Sequence, residues 1–149
     1  DHDLVQASLK AKGMELDFWR IAMRPGKPLM VGAIDTMQVL GLPGNPVASL
    51  VCSLLFLEPL VQKLARTPLR RREVQAVTET DLKANDHRQD YMRATLTIRD
   101  DGTLVAKNFD KQDSSMMKTL ANSHALIVRP PNALPLKAGD PCPIILLRI

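Results

Sequence analysis

Residues 39–50 read VLGLPGNPVASL. Leu42 ends an apolar run, and Asn45-Pro46 has the form of a helix cap followed by the first helical position, where proline forfeits no hydrogen bond. Pro43 and Gly44 turn the chain between them. The stretch predicts a strand-to-helix corner. Such a corner leaves the N–H groups of a helix start facing outward beyond a strand's carboxyl end, where anions and other ligands collect in α/β sheets.

The neighbouring segments agree with that reading. A helix is predicted over 46–66, with Val47, Leu50, Val51, Leu54, Leu55, Leu57, Val61 and Leu64 covering more than half its circumference. Such a helix is expected to be mostly buried, and Pro59 to kink it. Upstream, LDFWRIAM (16–23), LMVGAI (29–34) and MQVLGL (37–42) read as strands, with RPGKP (24–28) and Asp35-Thr36 as turns. Asp3–Lys12 reads as a helix capped by Asp3 and closed by Gly13.

Beyond the basic stretch RTPLRRRE (66–73) the pattern changes. Strands are predicted over 74–80, 90–100, 103–109, 124–130 and 143–149, with a turn at Asp100-Asp101-Gly102 and a short helix over 114–123 capped by Ser114 or Ser115. Met92, Ala94, Leu96 and Ile98 alternate with Arg93, Thr95, Thr97 and Arg99. Five short strands at this spacing predict a small barrel or sandwich. The expected fold is an α/β fragment over 1–72 followed by a small all-β, barrel-like domain over 73–149.

Composition narrows the function classes. The chain of 149 residues carries a formal charge of +4 with only 3% aromatics. That balance suits an anionic partner. The cluster at 66–73 has no aromatics interleaved for base stacking, so it reads as a solvated linker and not a nucleic-acid surface. The apolar stretch 46–64 is broken by Glu58, Pro59, Gln62 and Lys63, and is not read as a membrane span. Cys52 and Cys142 lie far apart without metal-ligand spacing, as buried thiols in a reducing cytoplasm would. Neither a P-loop nor a Rossmann glycine pattern occurs. The chain starts without Met and with helical character, so it is expected to be a piece of something longer.

Chemistry concentrates at three places. The corner is the first. The second is MRPGKPL (23–29), where a stiff Pro-Gly turn holds Arg24 and Lys27 near each other, with Arg20 on the same strand face as Arg24. Fixed cations on a stiff turn suit an oxyanion. The third is Arg93 with the helix start at Ser114.

FWRIAMRPGKPL (18–29), then GLPGNPVASL (41–50), then a long helix and a small β domain resemble the C-terminal part of the molybdopterin molybdenumtransferases, whose animal relative is the E domain of gephyrin. The resemblance implies a partial molybdopterin-binding open sheet and an enzyme that inserts molybdate into adenylylated molybdopterin, releasing AMP with the help of Mg²⁺. It implies that Arg24, Lys27 and Pro28 line the molybdate site, with Arg93 and Ser114 facing them from the barrel. Pro43, Asn45, Pro46 and Ser49 belong to the corner, Arg20 is a further substrate-side cation, and Asp3 is both catalytic and the Mg²⁺ ligand. It further implies a cytoplasmic homodimer in the full-length protein, supplied by a molybdopterin adenylyltransferase, with no nucleic acid or membrane partner. Arg24 stands where Lys is common, and Ala48-Ser49 where the corner often reads Ser. The alternative is a scaffold or anion-binding module on the same fold.

Overall fold

The computed structural model describes residues 4–110, 112 and 117–147. The calls of greatest chemical weight on Asp3 and Ser114 therefore lie outside the described residues. Helix α1 (Leu4–Ala11) closes at Gly13, whose φ of +88° is one that glycine adopts freely. Strands β1 (Glu15–Phe18), β3 (Met30–Ile34) and β4 (Met37–Gly41) form an antiparallel sheet in the order β1-β3-β4. The β3–β4 hairpin turns at Asp35-Thr36, pairing Ile34 with Met37. Gly32 permits a close approach there, since a Cβ at that position would stand 2.4 Å from the Glu15 carbonyl oxygen.

The strand predicted over 16–23 is broken. β1 stops at Phe18, and the chain leaves its sheet to form β2 (Met23–Arg24), which pairs in parallel with the barrel strand β6 (Gln89–Ile98). Burial drives the departure: Met23 and Leu29 insert into a core that also holds Val51, Cys52, Leu126 and Ile145. Arg20 thus lies outside both strands and does not share a strand face with Arg24, and its guanidinium lies 3.8 Å over the Trp19 ring.

The predicted helix over 46–66 is α2 (Pro46–Cys52), a π-helical turn (Ser53–Leu57) and α3 (Glu58–Leu64) in succession. Proline cannot donate to the carbonyl four residues back and its ring crowds that carbonyl. The wider turn, in which the Glu58 N–H donates to the Ser53 oxygen, accommodates Pro59. The expected burial does not hold along the helix. Val47, Ala48, Val51 and Cys52 are buried, but Leu50, Val61 and Leu64 are 46%, 53% and 67% exposed. By length and composition the 19 residues Pro46–Leu64 could span a bilayer, yet α2 packs its buried face into the shared core.

Strands β5 (Glu73–Thr78), β6, β7 (Leu104–Asn108), β8 (Ala125–Arg129) and β9 (Pro141–Leu146) close a five-stranded barrel, because β6 pairs with both β7 and β8. So narrow a barrel has room for large inward side chains only where small ones stand beside them. Ala76, Ala94, Ala106 and Ala125 provide the small ones, with Ile127, Ile144 and Cys142 filling the remainder. Met92 and Leu96 join this interior as their alternation requires, while Ile98 lies beyond it, 70% exposed. Arg93, expected on an open polar face, is 1% exposed. Leu126 and Ile145 point outward from the barrel and supply its half of the shared core. α4 (Met117–Ala121) lies between β7 and β8 in sequence. Both thiols are free and buried, and burial pushes Cys52 up to about 11, so it stays protonated and unreactive at neutral pH.

Candidate functional site

Both motifs meet at one cleft. It has a volume of about 280 Å³ and is lined by the turn 23–28, by Pro43, Asn45 and Ala48 of the corner, and by Arg88 and Gln112 from the barrel half. That is ample space for a small oxyanion with part of its hydration. A larger cavity of about 920 Å³ lies between α3 and residues 68–73. Its Arg72 is occupied structurally: the guanidinium donates to both oxygens of Glu58, at 3.0 and 3.2 Å, and so ties the basic stretch to the helix.

The turn owes its shape to Gly26. Its φ is +119°, and a Cβ there would stand 2.6 Å from the Cys52 sulfur. The Arg24–Pro25 peptide bond is cis. Ile21 and Leu29 N–H groups both donate to the Lys27 carbonyl, closing the base of the loop. The Lys27 side chain is left exposed, and its ammonium has no ion-pair partner among the described residues.

The corner is built differently from the anion site its sequence suggests. Pro46 has no N–H, and the N–H groups of Val47 and Ala48 both donate to Asn45 Oδ1 at 3.1 Å. Ser49 N–H donates to the Asn45 carbonyl. The helix start is thus satisfied from within, and no outward N–H of the first turn remains for an anion. Asn45 works here as a cap that anchors one wall. Its replacement by alanine is expected to cost about 1 kcal/mol of stability in urea unfolding. An unchanged midpoint would show that the two bonds carry nothing.

The charges form a ladder. Arg24 pairs with Asp90 across the β2–β6 register and approaches Asp86 at 3.7 Å. Asp86 in turn accepts from Arg88 at 2.6 and 3.2 Å. The Arg88 hydrogen bond holds the Asp86 carboxyl well below the usual carboxylate range, and the Asp90 hydrogen bond raises Arg24. Asp86 thus stays charged wherever an ordinary carboxylate would, and loses its charge only in stronger acid. Three cations against two carboxylates leave one unit of positive charge at the cleft.

Of the residues singled out in the sequence, the cleft gathers Arg24, Lys27, Pro28, Pro43 and Asn45. Ala48 lines it; Ser49, one position on, does not. Arg20 and Pro46 do not line it either. Arg93 sits behind it: Gln112 Oε1 accepts from the Arg93 backbone N–H at 2.9 Å, and Gln112 Nε2 donates to the Arg93 carbonyl. Gln112, and not Arg93, contributes to the lining. Asp86, Arg88, Asp90 and Gln112 were missed. Strand alternation could not have found the first three, since the chain bends at 87–88, where the Arg88 N–H donates to Asp86 Oδ1, and β6 starts only at Gln89.

Residues 1–63 match the family described as "Probable molybdopterin binding domain", and residues 75–147 match "MoeA C-terminal region (domain IV)". The chain is 30% identical over 128 residues to the molybdopterin molybdenumtransferase of Haemophilus influenzae, covering 85% of this chain and 31% of that protein. It is 30% identical over 150 residues to that of Bacillus subtilis, covering 99% and 34%. It is similar in structure to a molybdenum cofactor biosynthesis protein from Pyrococcus furiosus, with a TM-score of 0.72 and 26% identity over 98% of this chain and 55% of the other. The chain spans about a third of the length of the curated relatives it matches. The two matches adjoin in sequence and each contributes residues to the cleft, so the chain belongs to the molybdopterin molybdenumtransferase (MoeA) family, corresponding to its C-terminal part.

Proposed function

We propose that this chain supplies the molybdate-holding wall of an enzyme that inserts molybdate into adenylylated molybdopterin and releases AMP. The observation that carries the reading is the convergence of turn 24–28 and corner 43–48 on one small cationic cleft. A molybdate dianion must be brought beside a substrate that already bears phosphates and thiolates. Like charges held close repel strongly outside bulk water. Lys27 and Arg24 offset that repulsion, and the turn and corner hold them ready beforehand, which is how a charged site avoids reorganisation during reaction. Pro28 and Pro43 stiffen the facing walls. Arg93 and Gln112 brace the barrel side.

Among the described residues no three His, Cys, Asp or Glu side chains gather as a metal site requires. Asp3, the expected Mg²⁺ ligand, lies outside those residues; Mg²⁺ held there would stabilise the leaving phosphate. The reading divides the chain into a C-terminal part of the molybdopterin-binding domain, 1–72, and a barrel domain, 73–149. It also implies a cytoplasmic homodimer that receives its substrate from a molybdopterin adenylyltransferase. The exposed Leu50, Val61 and Leu64 are consistent with a covered helix face in such an assembly. The test is formation of molybdenum cofactor from adenylylated molybdopterin and molybdate by the intact protein with Arg24 and Lys27 both replaced by glutamine. Loss is expected, and undiminished formation overturns the proposal.

A further inference from the structure

We infer that Arg88 is a third ligand of the oxyanion and that Asp86 is the residue that aims it. The inference rests on the oxyanion reading of the cleft and adds to it a binding residue and the class of anion preferred. Arg88, a residue of the barrel half, lines the cleft together with Arg24, Lys27, Pro43 and Asn45. Its side chain is not free to wander. Asp86 takes two donors of the guanidinium, Nε and Nη2, through Oδ2, and its Oδ1 accepts the Arg88 backbone N–H at 2.8 Å.

The segment beneath is anchored too. The Asn85 side-chain amide donates to the carbonyl oxygens of Arg88, Arg129 and Pro130, at 2.7, 3.0 and 2.8 Å, and its Oδ1 accepts the Asp86 N–H. The strand that follows is fixed by the Gln89 N–H donating to the Ala22 carbonyl, next to the Pro-Gly turn. Arg88 is thus positioned against the same turn that carries Arg24 and Lys27.

The Asp86 hydrogen bond raises Arg88 and keeps it charged, while the charge of Arg24 on the far side of the same carboxylate acts against it. An anion in the cleft that both residues line would add the negative charge that two guanidinium groups and Lys27 leave unbalanced. Planar forks match tetrahedral oxyanions by paired N–H donation, which a compact ammonium cannot reproduce. The arrangement therefore favours a doubly charged tetrahedral oxyanion over a singly charged one.

The experiment is calorimetric titration of the intact protein with sodium molybdate, and with sodium nitrate as the singly charged comparison, in the wild type, Arg88→Gln and Arg88→Lys. Glutamine keeps a donor to Asp86 without the charge, and a thermal melt confirms that each variant is folded. One charge-assisted contact predicts a molybdate affinity about 10- to 100-fold lower in Arg88→Gln. Arg88→Lys is expected to recover part of the loss, and the preference for molybdate over nitrate is expected to shrink in Arg88→Gln. Wild-type affinity in a folded Arg88→Gln overturns the role of Arg88 and leaves the oxyanion reading intact. Absence of molybdate binding in the wild type overturns both.

Discussion

Replacing Arg24 and Lys27 together by glutamine will lower molybdate-dependent cofactor formation by about two to four orders of magnitude, since each charge-assisted contact is worth about 1.5–3 kcal/mol. The two residues fail for different reasons. Lys27 is exposed and pairs with nothing among the described residues, so its loss strands no partner and reads out binding alone. Arg24 also neutralises Asp90, whose side chain is only 12% exposed, so its loss disturbs the β2–β6 junction as well. The single Lys27→Gln variant should accordingly show weaker use of molybdate with an unchanged melting temperature. Arg24→Gln should show both effects. Activity rates at saturating and limiting molybdate, measured beside thermal unfolding, separate the two. A double variant that is folded and as active as the wild type at limiting molybdate contradicts the assignment.

The second large effect is expected at Gly26. Valine there meets the Cys52 sulfur within 2.6 Å and the Met23 methyl at 3.1 Å of its Cβ, with φ at +119°. Cys52 and Met23 belong to the core that joins the two halves of the chain, so the clash cannot be relieved toward solvent. Strain and overpacking together predict a loss of about 2–5 kcal/mol in urea unfolding. Oxyanion affinity should fall in the same variant, because the turn that holds Arg24 and Lys27 would shift. A stability within about 0.5 kcal/mol of the wild type, the range of ordinary surface substitutions, would show that the turn adapts freely.

The barrel and the β3–β4 hairpin were legible because their signals are local. Alternation over 90–98, a turn at Asp100-Asp101-Gly102 and a two-residue turn at Asp35-Thr36 each require only neighbouring residues. The break between β1 and β2 was not legible, since large apolar residues run through both halves of LDFWRIAM and its second half leaves one sheet for another to reach a core shared with Leu126 and Ile145 of the barrel. The exposure of Leu50, Val61 and Leu64 escaped notice for a related reason: periodicity reports how wide an apolar face is, and not what covers it. At the site, Arg24 and Lys27 were recognisable from the stiffness of their turn. The capped corner was misjudged, because Asn45 reads equally well as a cap that satisfies the helix start and as part of a site that leaves it open. Arg88, Asp86 and Asp90 were hidden by distance, as nothing near residue 88 indicates that β6 pairs with β2.

The central claim is the location of the oxyanion. A crystal of the intact protein grown with sodium tungstate, the heavier analogue of molybdate, would reveal the metal by its anomalous scattering. The account predicts a single strong peak in the cleft bounded by Lys27, Pro28, Pro43 and Arg88. A peak elsewhere with this cleft empty would contradict it.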